Sequence, residues 1–149
     1  MGNLSNILAL IFASGGEVYS FARLKIGVYV LSEGSKEGLF PSVFSYKFEE
    51  NGLTGPYDEE FANDLDLLVN LGYLTRNDNV ENYGGLNTRE HTLYKLTKEG
   101  KIAGEVALDN LPEDKRNAIE KVAEKLADVE NYPVSELLKL YVRKRKETC

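Results

Sequence analysis

The chain has 149 residues, 42% of them hydrophobic and 28% charged, one domain's worth of ordinary globular composition that excludes wholesale disorder and fibrous structure. Its 24 acidic residues against 18 basic give a net charge of −6, which repels a phosphate backbone unless the cations gather on one face. A single Cys, Cys149, excludes a disulfide scaffold and a Cys-built zinc site, and a single His, His91, excludes His-rich metal and nucleophile constellations.

In chain order, the apolar run Ile7 to Ala13 has no basic segment before it and is too short to span a bilayer. The start MGNLSN approaches a myristoylation pattern, but Asn6 stands where Ser or Thr is needed. A cytoplasmic chain without membrane attachment is therefore expected. Leu4, Ile7, Leu8, Ile11 and Phe12 form a helical stripe, stopped by Gly15 and Gly16. A short extended piece, Glu17 to Tyr19, precedes Ser20, which can cap a second helix burying Phe21, Leu24, Val28 and Leu31. After Gly34, the alternation of Phe44-Ser45-Tyr46-Lys47-Phe48 predicts a strand or extended chain. Beyond the turn-rich Asn51 to Tyr57, Asp58 caps a third helix with core positions Phe61, Leu65, Leu68 and Val69, closed by Gly72. Tyr73 to Arg76 and His91 to Leu96 read as two strands of a hairpin joined by a loop over Asn77 to Glu90. Thr97, Pro112 and Pro133 then open a fourth, a fifth and a sixth helix.

This order of elements is that of a winged helix-turn-helix. In the hairpin, Gly72 supplies a positive φ, Leu74 and Leu96 can face the core together, and Thr97 can satisfy the first amides of the next helix. LGYLTR from Leu71 and YKLTKEGK from Tyr94 resemble the wing of many archaeal and bacterial winged-helix proteins. Upstream, FSYKF and GPYDEEFANDLDLLVNLGYL resemble the YwgA-like family and the related Panacea (SocA-like antitoxin) domains, in which an aromatic extended piece runs into Gly-Pro-Tyr and a helix with a repeating acid-Leu pattern. The residues that carry this are Phe44, Tyr46, Phe48, Gly55, Pro56, Tyr57, Asp64, Leu65, Leu68 and Gly72. YPVSELLKLY resembles the terminal helix of such proteins. The chain differs from them in the length of Gly34 to Val43 and in ENGLT before the Gly-Pro pair. The resemblance implies a regulatory binding module, an antitoxin or an adaptor, rather than an enzyme.

A winged helix normally places its third helix in the major groove and its wing against phosphates or the minor groove. Here Asp58 to Leu71 carries five carboxylates and no Lys or Arg, and the loop Asn77 to Glu90 has a net charge of −2. The two segments hold −7, leaving +1 for the rest of the chain. Counterion release requires cations at phosphates, and this helix has none. Its outward stripe is Glu59, Asn63, Asp66 and Asn70; Asn can read adenine and acids can accept from cytosine, but without phosphate anchoring. The counterweight is Arg143, Lys144, Arg145 and Lys146, which read either as a nucleic-acid patch or as a solvated helix end that complements the macrodipole.

Glu60 and Asp64 lie one turn apart, yet no third ligand at metal-loop spacing accompanies them, so they read as first-turn acids. No metal site, cofactor or catalytic residue is expected. Tyr46, Phe48 and Tyr57 cluster around the Gly-Pro loop, where they fill core or anchor a partner groove. Ile119, Val122, Leu126 and Val129 form a narrow seam that can pack on the sixth helix or on a second subunit, as in a homodimer.

The expectation is an α+β, mainly helical domain: a winged helix-turn-helix core over residues 1–110, with a small antiparallel wing hairpin, and a C-terminal helical extension, residues 111–149, packed on it. Its expected role is non-enzymatic and regulatory. Tyr46, Phe48, Tyr57, Glu59, Asn63, Asp66 and Asn70 would meet a protein partner. The alternative is a transcriptional regulator that touches DNA through the wing and Arg143 to Lys146.

Overall fold

The computed structural model describes residues 2–33, 41–50, 56–78 and 92–132. They form an α+β, mainly helical arrangement: α1 (Gly2–Ala13), β1 (Glu17–Tyr19), α2 (Phe21–Glu33), β2 (Glu49–Glu50), β3 (Pro56–Tyr57), α3 (Glu59–Asn70), β4 (Leu74–Asn77), β5 (Leu93–Leu96), α4 (Lys98–Asp109) and α5 (Glu113–Ala127). The expected sixth helix and His91 lie outside the described residues.

The sheet is antiparallel with strand order β1-β5-β4. Leu74 pairs with Leu96, as the hairpin pattern predicts, and both are buried. Val18 pairs with Tyr94, so the first strand closes the far edge of β5 with another buried pair. The turn from α3 into β4 needs the left-handed backbone of Gly72, φ 89°, a conformation open to glycine at no steric cost. Thr97 locks that turn to the next helix. Its hydroxyl donates to the Gly72 carbonyl at 2.6 Å and accepts from the Gly100 amide at 3.0 Å, capping α4 as expected.

Helix α2 departs from the one-faced helix that its sequence predicts. Every residue from Arg23 to Ser32 is buried, because α5 and the segment 41–48 cover the sides that a two-layer packing would leave wet. Polar residues survive there by finding local partners. The Ser32 hydroxyl donates to the Val28 carbonyl at 2.7 Å, and the Lys25 ammonium lies 5.7 Å from the Phe21 ring centre. The apolar seam of α5 is equally internal. Ile119, Val122 and Leu126 join the core cluster that also holds residues of α1 and α2, and the sixth helix expected beside this seam lies outside the described residues.

The segment Phe44 to Phe48 is extended chain without a ladder of its own. Its alternation appears in burial, with Phe44 and Tyr46 inside and Ser45 and Lys47 exposed. Helix ends and side chains take the place of a partner strand. The Val43 amide donates to the Leu31 carbonyl at 2.8 Å, Asn6 Nδ2 donates to the Val43 carbonyl at 3.0 Å, and the Ser45 amide donates to Asn3 Oδ1 at 3.0 Å.

Candidate functional site

Asp58 fixes where α3 begins and how it sits. One carboxylate oxygen accepts from the amides of Glu60 at 2.7 Å and Phe61 at 3.2 Å, and the other accepts from the Lys47 amide at 2.8 Å. The same side chain therefore caps the helix and ties it to the extended segment. Asp58→Ala is expected to cost about 1–2 kcal/mol, read as a fall of about 3–6 °C in thermal midpoint by circular dichroism. Asp58→Asn should keep most of it.

Phe61, Leu65 and Leu68 turn inward and are buried, as the periodicity predicts. Glu59, Asn63, Asp66 and Asn70 are all exposed, so the structure brings the expected outward stripe together on one face. Leu67 and Leu71, one turn apart on the same side, are 41% and 57% exposed. Sequence reasoning passed over these two, since within Leu65-Asp66-Leu67-Leu68 the run of leucines hides which of them leave the core. The face is thus acidic along its length and apolar at its C-terminal end.

A cation that reaches this face is already engaged. Arg76 on β4 reaches Asp66 of α3 at 3.1 Å and Asp78 at 3.7 Å, and the Thr92 hydroxyl also donates to Asp78 at 3.1 Å. Exposed pairs of this kind add little stability. Their consequence is electrostatic: the charge that a phosphate would need is bracketed by two carboxylates.

The aromatic residues divide differently from expectation. Tyr46 is only 3% exposed. It stacks on Phe44 at 5.8 Å between ring centres and meets Phe61 edge-on at 5.6 Å, and its hydroxyl donates to Asp64 at 2.6 Å. Phe48 is half-buried and sits edge-on to Tyr29 at 5.5 Å. Tyr46 therefore cannot anchor a partner, because its ring is enclosed by the hydrophobic surface that the sequence pattern left open to either reading. Tyr46→Ala is expected to destabilise the fold rather than to spare it. The backbone of Tyr57 pairs with Glu49 in the β2–β3 ladder, while its side chain, the loop 79–91 and Arg143 to Lys146 lie outside the described residues.

Burial, reinforced by the hydrogen bond to Asp64, drives the Tyr46 phenol far above its usual range, and burial pushes Tyr94 up to about 12. An unfolded chain ionises both near pH 10, so their contribution is intact below pH 10 and is lost as pH rises above it. Urea unfolding between pH 9 and 12 should show stability falling above pH 10, at about 1.4 kcal/mol per pH unit for each buried phenol. Tyr94→Phe should flatten that slope.

Among the described residues, no group of three His, Cys, Asp or Glu is gathered as a metal would require, and no helix is long and apolar enough to cross a membrane. Comparison with protein-family models, curated proteins and solved structures returned no match.

Proposed function

We propose that this chain is a non-enzymatic regulatory module of winged-helix type that binds a protein partner through the exposed face of α3. The strand order β1-β5-β4, with α2 and α3 between β1 and β4, supports the winged reading. The resemblance of FSYKF and GPYDEEFANDLDLLVNLGYL to SocA-like antitoxin domains supports a regulatory role of the antitoxin or adaptor kind.

The observation that carries the proposal is the composition of the α3 face. Glu59, Asn63, Asp66 and Asn70 run beside exposed Leu67 and Leu71, and Arg76 is held by carboxylates. A duplex would meet negative charge and apolar surface where it needs cations. A protein with a basic patch beside a small apolar recess would gain charge complementarity at the rim and leucine burial at the centre.

The test is capture from native extract on matrices bearing the wild-type chain or an Asp66→Lys/Leu71→Glu variant. Both positions are exposed, so the fold tolerates the changes. The proposal expects a protein retained by the first matrix and lost from the second. Equal retention by both would refute the assignment of this face.

A further inference from the structure

We infer that the chain's own C-terminal segment docks on the acidic face of α3 through Arg143, Lys144, Arg145 and Lys146, so that a partner must displace it. The inference rests on the reading of α3 as a docking face and names what regulates it. Of the five described helices, α3 alone carries acids without a cation: Glu59, Glu60, Asp64 and Asp66 stand against no Lys or Arg. Helix α1 has no charged side chain, and α2, α4 and α5 each mix the two signs. On α3, Glu59, Glu60 and Asp66 are exposed beside Leu67 and Leu71. The segment 133–149, outside the described residues, is their counterpart in charge. Lys139 and Arg143 to Lys146 stand there against Glu136 and Glu147, in a chain whose net charge is −6. Leu137, Leu138 and Tyr141 precede the cationic run, as Leu67 and Leu71 adjoin the acids.

The path between them is short. Arg23 of α2 donates to the carbonyl of Tyr132, where the described chain ends, and Phe21 of α2 packs on Phe61 of α3 at 5.8 Å between ring centres. The segment therefore starts across α2 from α3, a helix width of about 10–12 Å. The eleven residues from Tyr132 to Arg143 span about 16 Å as helix and up to about 36 Å extended. Arg143 is thus within reach of the first turn of α3 in either form. A tether this short gives an effective concentration of about 1 mM, so the chain's own cations occupy the face ahead of a second copy's.

Cys149, the single cysteine, lets a nitroxide spin label be attached to the end of this segment in the full chain. In the 15N-labelled protein, amide signals of Glu59 to Leu71 should lose intensity relative to a diamagnetic label, while those of α4 keep theirs. The loss should vanish at about 500 mM salt, where the screening length falls to about 4 Å. Arg143→Glu/Arg145→Glu should abolish it, as should Glu59→Lys/Asp66→Lys, and combining both pairs of reversals should restore it. All four positions lie on solvent-facing or terminal chain, and the dispersion of each spectrum reports whether the variant is folded. A loss spread evenly over the molecule, one centred on α4 or one indifferent to these reversals would overturn the inference. So would a loss on α3 that appears when spin-labelled chain without 15N is mixed with 15N chain without the label, because a second copy would then be the occupant. The experiment contains no partner, so its failure leaves the capture test of α3 intact.

Discussion

Replacing Arg23 with Met is expected to lower the stability of the fold by about 3–5 kcal/mol. Arg23 is 1% exposed, and its guanidinium closes the C-terminal end of α5. One nitrogen donates to the carbonyls of Lys125 at 2.9 Å and Leu126 at 2.6 Å, and the other donates to the Tyr132 carbonyl. The last carbonyls of a helix have no partners within it, and the macrodipole makes this end negative. A buried cation with a planar fork of donors therefore answers both the hydrogen-bond deficit and the partial charge. Met fills a similar volume and offers no donor, so three acceptors, one buried and two part-buried, would lose their partner. Each bond to a charged group is worth about 1.5–3 kcal/mol, and they do not add fully. Arg23→Lys should recover less than half of the loss, because one ammonium cannot reproduce the fork. Urea unfolding followed by circular dichroism reads both values. A loss under about 1 kcal/mol for Arg23→Met would show that water replaces the guanidinium without cost.

Gly100→Ala should also destabilise, by about 2–3 kcal/mol, although alanine in a helix interior normally gains up to about 1 kcal/mol over glycine. A Cβ at position 100 would lie 2.0 Å from the Tyr73 carbonyl oxygen and 3.2 Å from Leu96 Cδ2. That carbonyl cannot swing aside freely, since it accepts from the Thr97 amide at 3.0 Å. The clash thus falls on the joint where the α3–β4 turn, β5 and the cap of α4 meet. Thermal unfolding decides the sign: a midpoint about 4–10 °C lower is expected, and an unchanged or raised midpoint would mean that the joint opens easily.

These two positions show where the sequence is readable and where it is not. Local chemistry was legible. Asp58 and Thr97 cap the helices that their positions predict, and Gly72 has the positive φ that a helix-to-strand turn requires. Leu74 and Leu96 pair because the two strands have matching periods. The outward stripe of α3 followed from helical spacing alone. What depends on distant segments was not legible. Arg23 looks like an ordinary surface cation on a helix, and only the return of α5, some hundred residues later in the chain, makes it a buried cap. Tyr46 had two readings because burial depends on Phe44, Phe48 and Phe61 closing round it. The α5 seam was visible, but its occupant was not, since α1, α2 and a second subunit offer the same apolar chemistry. Gly100 gave a signal that passed unread: glycine two residues inside a helix start is a cost without a local reason, and so marks a close approach.

The proposed role rests on the electrostatics of α3, and fluorescence anisotropy with a labelled duplex tests it most directly. Titration at about 50 mM and 200 mM salt separates phosphate-driven binding from any other kind. The acidic face predicts no saturable binding below about 100 μM at either salt concentration. It also predicts that Glu59→Lys/Asp66→Lys creates weak binding that falls steeply with salt. Micromolar binding by the unaltered chain, lost as salt rises, would contradict the claim that this face meets protein.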